Sequence, residues 1–193
     1  MKRTLIAIAM LCAAAAASAK CAPKNVLKFI VSNDLPVSTT RTLYRQGEKF
    51  GRYELPGVLI IVSEPDLWVV NKVEKTGQHA LDPDDSSVFH AVVLDDSESK
   101  YWNNFEFGCE VPFMHAVGAE PKDGVYEHTA EGVTVRLTVA KSGIPQRIDV
   151  KTPKSSYSMI YHAWEELRDA PPDLYAKPEG ITFTEQSAEP DKP

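Results

Sequence analysis

The chain has no G-x-S-x-G elbow, no H-E-x-x-H and no P-loop anywhere in its 193 residues. The common signatures of serine hydrolases, zinc proteases and nucleotide-binding enzymes are therefore missing. Its five histidines, His79, His90, His115, His128 and His162, are scattered, and no two sit at a metal-ligand spacing. Asp82-Pro83-Asp84-Asp85 could offer oxygens to a hard cation, but reads most simply as a solvated acidic loop. The sequence thus supplies no catalytic residue, metal site or cofactor to assign, and the expectation is a non-enzyme. A hydrolytic or metal-dependent enzyme stays open as an alternative, and would need at least two convergent His, Asp or Glu side chains in a pocket.

Long hydrophobic runs are lacking too, except at the start. Lys2 and Arg3 precede an apolar run from Leu5 to Ala17, followed by Ala17-Ser18-Ala19. This is the order of a signal peptide with its cleavage site, and the run is too short for a membrane-spanning helix. Residues 1–19 are expected to be removed between Ala19 and Lys20, giving an exported, periplasmic chain that is not an integral membrane protein. Lys20 before Cys21 and Ser18 three before it do not fit a lipid-attachment site. Removal of Lys2 and Arg3 leaves 19 basic against 27 acidic residues, a net charge of −8. So acidic a surface argues against nucleic acid as a partner. Of three cysteines, Cys21 and Cys109 survive cleavage, and an oxidising compartment favours their pairing. That bridge would be worth about 4 to 5 kcal/mol by chain entropy.

What the chain does have is period-2 alternation broken by turn residues, the pattern of antiparallel strands. Strands are expected at Asn25–Ser32, Ser38–Arg45, Phe50–Leu55, Val58–Val62, Leu67–Val73 and Gln78–Leu81. After an interruption they resume at Val125–Thr129, Val133–Lys141, Gln146–Lys151, Ser155–Leu167 and Gly180–Thr184. The interruption, Ser97 to Ala119, places Trp102, Phe105, Cys109, Phe113, Ala116 and Val117 at helical spacing. Pro112 would break or kink a helix interior, so either two short helices or a bend near Cys109 to Pro112 is expected. The fold class is mainly β with a helical insertion: residues 20–184 form one domain of ten or eleven antiparallel strands, and the polar stretch 185–193 is a disordered tail.

Val58-Leu59-Ile60-Ile61-Val62 and Leu67-Trp68-Val69-Val70 depart from alternation. A strand with one face in water should alternate, so both faces of this pair are expected to be dry. A sheet of this size tends to curl or close, enclosing either packed side chains or an apolar cavity. Pattern alone leaves both open.

The runs "TLYRQGEKFGRYEL", "VLIIVSEPDLWVVN" and "DLYAKPEGITFTE" resemble motifs of the periplasmic lipoprotein-carrier (LolA/LolB-like) superfamily. The matching positions are Leu43, Tyr44, Arg45, Phe50 and Tyr53, then Ile61, Val62, Ser63, Leu67, Trp68 and Asn71, and finally Leu174, Tyr175, Pro178, Gly180 and Ile181. The resemblance implies a curled antiparallel sheet forming an incomplete β-barrel covered by a helical lid, with an inner surface that holds acyl chains. The chain departs from the family in having only Lys20 to Lys24 before its first strand. It also has Arg45-Gln46-Gly47 where the carriers place a basic residue, arginine and proline.

On this reading the protein binds lipids or acylated lipoproteins as a carrier or sensor, with inner- or outer-membrane envelope proteins as further partners. Candidate lining residues are Tyr44, Phe50, Leu59, Ile61, Trp68, Val70, Trp102, Phe105, Tyr157, Met159 and Tyr161. Arg41, Arg45 and Arg52 are candidates to meet a head group. The alternative is a non-enzymatic envelope interaction module with a filled core.

Overall fold

The computed structural model describes residues 23–33, 40–81, 107–130 and 132–185. The first half is a six-strand meander: β1 (Val26–Asn33), β2 (Thr40–Gln46), β3 (Phe50–Leu55), β4 (Val58–Ser63), β5 (Asp66–Asn71) and β6 (Thr76–Leu81). A short helix, α1 (Glu110–Ala116), then leads into a second meander of β7 (Val125–Ala130), β8 (Val133–Val139), β9 (Pro145–Lys151) and β10 (Ser156–Leu167), and β11 (Thr182–Glu185) closes the described chain. All join in one sheet of order β11-β6-β5-β4-β3-β2-β1-β10-β9-β8-β7. Its two end strands, β11 and β7, do not pair with each other, so the sheet curls as an incomplete barrel rather than closing.

The meanders meet where β1 pairs with β10, and this seam is the centre of the core. Phe29 stands opposite Leu43 of β2 and Trp164 of β10. It is fully buried, with the Trp164 ring edge-on at 4.6 Å and Phe107 at 5.8 Å. The register slips between Ile30 and Val31, so that Val31 faces Tyr161 and His162 is the extra residue. Such a bulge resets the alternation. It keeps Trp164 and Tyr161, three residues apart, on the same face.

That face carries the larger core, with Leu27, Val31, Leu43, Val135, Leu137, Ile148 and Met159 buried around Phe29. Phe113 and Met114 of α1 close it from above β7 and β8. Pro112, where a break or bend was expected, lies in the first turn of the helix, where the missing N–H has no intrahelical acceptor to lose. Gly108, just before the helix, has φ of +85°, and a Cβ there would stand 2.8 Å from Leu27. Only glycine lets the chain turn this close to β1.

The opposite face of β4 and β5 holds a second, smaller core of Leu59, Ile61, Trp68 and Val70. Residues 168–181 cross that face as a strap carrying Tyr175 and Ile181, and Phe183 of β11 completes the cover. The Phe183 ring lies against Gly77, where a Cβ would meet it at 2.7 Å. Having crossed over, the chain rejoins the sheet parallel to β6, where an antiparallel partner was expected. Glu185, assigned to the tail from the sequence, is the last residue of β11; residues 186–193 lie outside the described residues.

Truncating Phe29 to alanine should cost about 3 to 5 kcal/mol, as for other buried aromatics. The exposed Phe50→Ala should cost far less. Urea denaturation of the two variants checks the assignment of the seam as the core.

Candidate functional site

Cross-strand register decides which apolar side chains share a face. Leu43 of β2 faces Tyr53 of β3, which faces Ile60 of β4, which faces Val69 of β5. This row and the neighbouring Val58, Val62 and Leu67 lie on the α1 side. Tyr44, Arg52, Ile61, Trp68 and His79 make the adjacent row, pointing the other way.

The candidate lining residues therefore do not share one surface. Tyr44, Phe50, Leu59, Ile61, Trp68 and Val70 are on the strap side, where Trp68 stacks on His79 at 5.7 Å and Phe50 meets Tyr175 at 5.4 Å. Tyr157, Met159 and Tyr161 are on the α1 side, inside the larger core. Trp102 and Phe105 lie outside the described residues.

Both faces of the β4–β5 pair were expected to be dry; the strap side is, and on the α1 side Val62 is buried but its neighbours are not. Leu59, Ile61, Trp68 and Val70 are buried under the strap, whereas on the α1 side Val58, Ile60 and Leu67 are half-buried and Val69 is 37% exposed. An open hollow of about 380 Å³ lies along Val58, Val69, Asn71 and Val73. A second, of about 370 Å³, lies on the strap side between Arg52, Leu59 and Ile61 and the Asp173–Glu179 stretch. The half-exposed apolar positions were missed because a run that is apolar throughout carries no phase. The buried Leu43, followed through register, would have supplied one.

The three arginines also separate. Arg45 is buried and donates to the Phe107 carbonyl at 2.7 Å, to Cys109 Sγ at 3.3 Å and to the Gly47 carbonyl at 3.1 Å. It fixes the turn before α1 to β2. Arg52, on the strap side, pairs with Glu54 at 2.6 Å and donates to the Leu174 carbonyl at 3.0 Å, so it holds the strap. Arg41, on the α1 side, donates to the Tyr53 hydroxyl at 2.8 Å and reaches the Tyr157 hydroxyl at 3.4 Å. Cys109 is disulfide-bonded; Cys21, its expected partner, lies outside the described residues.

Two ionisable knots fasten the covers. Beside Arg45, Glu110 is buried and accepts from the Tyr161 hydroxyl at 2.6 Å and from the Gly108 N–H at 2.9 Å. Burial pushes its carboxyl up from 4.5 to about 7, against these hydrogen bonds and the Arg45 charge. On the strap side His79 bridges two carboxylates, Nε2 to Asp66 at 2.7 Å and Nδ1 to Glu185 of β11. The hydrogen bond to Asp66, then that to Glu185, raises the imidazole above its ordinary value.

Ser32 Oγ lies 2.7 Å from His162 Nε2, a cross-strand pair with Ser32 buried. Among the described residues no group of three His, Cys, Asp or Glu side chains could hold a metal ion. No helix among them is long and apolar enough to cross a membrane.

No protein-family model matches the chain, and no curated protein matches its sequence. Among solved structures it is similar to an uncharacterized conserved protein from Thermus thermophilus, with a TM-score of 0.51 at 10% identity over 93% of this chain and 99% of that one. This likeness shows a shared fold along nearly the whole of both chains. Two further matches are a DUF1329 family protein from Desulfovibrio piger (TM-score 0.42, 9% identity, 86% of this chain and 95% of that one) and a LolA superfamily protein from Nitrosomonas europaea (0.37, 11%, 87% and 97%).

The raised Glu110 carboxyl has a measurable consequence. The folded chain holds that proton more tightly than the unfolded one, so Glu110 favours folding most below about pH 4.5, and this contribution is lost as the pH rises to about 7. Thermal melts across this window should show a shallower fall in Tm with pH for Glu110→Gln than for the unaltered protein. An unchanged slope would mean that Glu110 does not titrate there.

Proposed function

We propose that the protein is an exported, periplasmic carrier or sensor of lipids or acylated lipoproteins, and that acyl chains lie on the α1 side of β3 to β6. The observation that carries this reading is the half-exposed apolar surface of Val58, Ile60, Leu67 and Val69 beside its open hollow. Among the described residues α1 stands over β7 and β8 at the far end of the sheet and does not cover that surface. Contiguous exposed apolar surface marks a ligand or partner site in a soluble chain, and apolar walls select apolar ligands. The motifs resembling lipoprotein carriers and the signal-peptide-like start agree with this reading.

A second reading rests on the other half of the same face. Phe29, Met114, Leu137, Ile148 and Met159 are fully buried and packed together. A partner protein docking on the open surface, rather than a lipid in it, would suit an envelope interaction module.

Native mass spectrometry on protein purified from the periplasm without detergent separates the two. Co-purifying lipid or acylated polypeptide, displaced by added fatty acid, is the expected result; an empty protein that takes up no added lipid would favour the second reading. Val69→Asp should weaken lipid uptake about tenfold or more, because a carboxylate must lose water against the acyl chain, while leaving the fold intact. Val70→Asp, under the strap, should instead unfold the β4–β6 region, and circular dichroism distinguishes the two losses.

A further inference from the structure

Deepening the proposed function, and resting on it, the inference concerns the polar end of the ligand. We infer that Arg41, framed by Tyr53 and Tyr157, binds the anionic head group of an amphiphile whose chain lies along Val58 and Val69.

The argument begins with charge. Arg52 pairs with Glu54, and Arg147 with Asp149 at 2.7 Å. Arg45 is buried near the Glu110 carboxyl. Arg41 is half-buried on the α1 side, yet its hydrogen-bond partners are two phenol hydroxyls, and its guanidinium lies over the Tyr53 ring at 6.0 Å. Neutral partners hold a guanidinium in place without offsetting its charge, and its five N–H groups leave donors to spare. A half-buried cation in this state is suited to an incoming oxyanion, which it can grip with two parallel hydrogen bonds.

Position supplies the second half. The β2–β3 register runs to Thr42 opposite Glu54, and one further step sets Arg41 opposite Leu55. Leu55 faces Val58, and Val58 faces Asn71. Arg41 therefore begins the cross-strand row that ends at the open hollow, two strands or about 10 Å from Val58. A head group at Arg41 and an acyl chain over Val58 and Val69 fit one molecule.

Isothermal titration at pH 8 with dodecanoate, dodecyl phosphate and dodecanol tests this. The protein should bind at least one of the two anions about tenfold or more tightly than the alcohol, as a charge-assisted pair requires, and the preferred anion identifies the head group. Arg41→Gln should abolish that ratio while keeping the affinity for dodecanol, and Arg41→Lys, with charge but no fork, should restore part of it. Should Arg41→Gln fail to fold, Arg41→Lys carries the test, and its ratio must fall below that of the unaltered protein. Equal binding of alcohol and anions, or a preference that survives these substitutions, overturns the role of Arg41 while leaving the carrier reading in place. Failure of all three amphiphiles to bind overturns the carrier reading and this inference with it.

Discussion

A strand that is apolar on both faces needs two covers, and the β4–β5 pair governs what surrounds it. One face, Leu59 to Val70, is closed by the chain's own C-terminal strap, with Tyr175, Ile181 and Phe183 pressed onto it and Gly77 left bare so that the Phe183 ring can approach. The other face belongs to the same continuous surface as the main core, where α1 packs over β7 and β8 and is tied to β10 through Glu110. Around Phe29 that surface is packed, whereas among the described residues Val58, Ile60, Leu67 and Val69 are only partly covered. The functional reading follows from this division.

Polar chemistry holds each cover where the apolar contacts put it. A buried guanidinium must find its acceptors inside the protein, and Arg45 finds them in the turn that precedes α1, next to the buried Glu110 that Tyr161 anchors to β10. The strap has its own fastening: His79 between Asp66 and Glu185 joins β11 to β5 and β6, while Arg52 grips the Leu174 carbonyl. Arg41 does no such work. Of the three head-group candidates in the sequence, two are spent on fastening covers, and the third, Arg41, lies on the α1 side between Tyr53 and Tyr157.

Much of the architecture was legible in the sequence because turns and alternation are local. The turns read at Gln46-Gly47-Glu48 and Pro56-Gly57 part β2, β3 and β4, whereas Thr76 and Gly77, read as turn, already belong to β6. What was not legible depends on contacts distant along the chain. Both halves of an apolar run look alike, so Trp68, the most conspicuous side chain, drew attention to the face that the strap buries, while Val58, Ile60 and Val69 passed unnoticed. The boundary expected near Cys109 to Pro112 is the start of α1, with Cys109 as its N-cap and Pro112 in the first turn. β11 runs parallel to β6 because the strap first crosses the sheet, and no local pattern encodes that crossing. Arg45 and Arg41 are equivalent by alternation; only the position of Phe107 and Cys109 tells them apart.

The most direct test of the account is to ask which face of β4 and β5 an acyl chain touches. Methyl-labelled protein titrated with a spin-labelled fatty acid reports this by paramagnetic broadening. The account predicts that the methyls of Val58, Ile60, Leu67 and Val69 broaden while those of Leu59, Ile61 and Val70 stay sharp. Broadening confined to the strap side, or none at all, would contradict it.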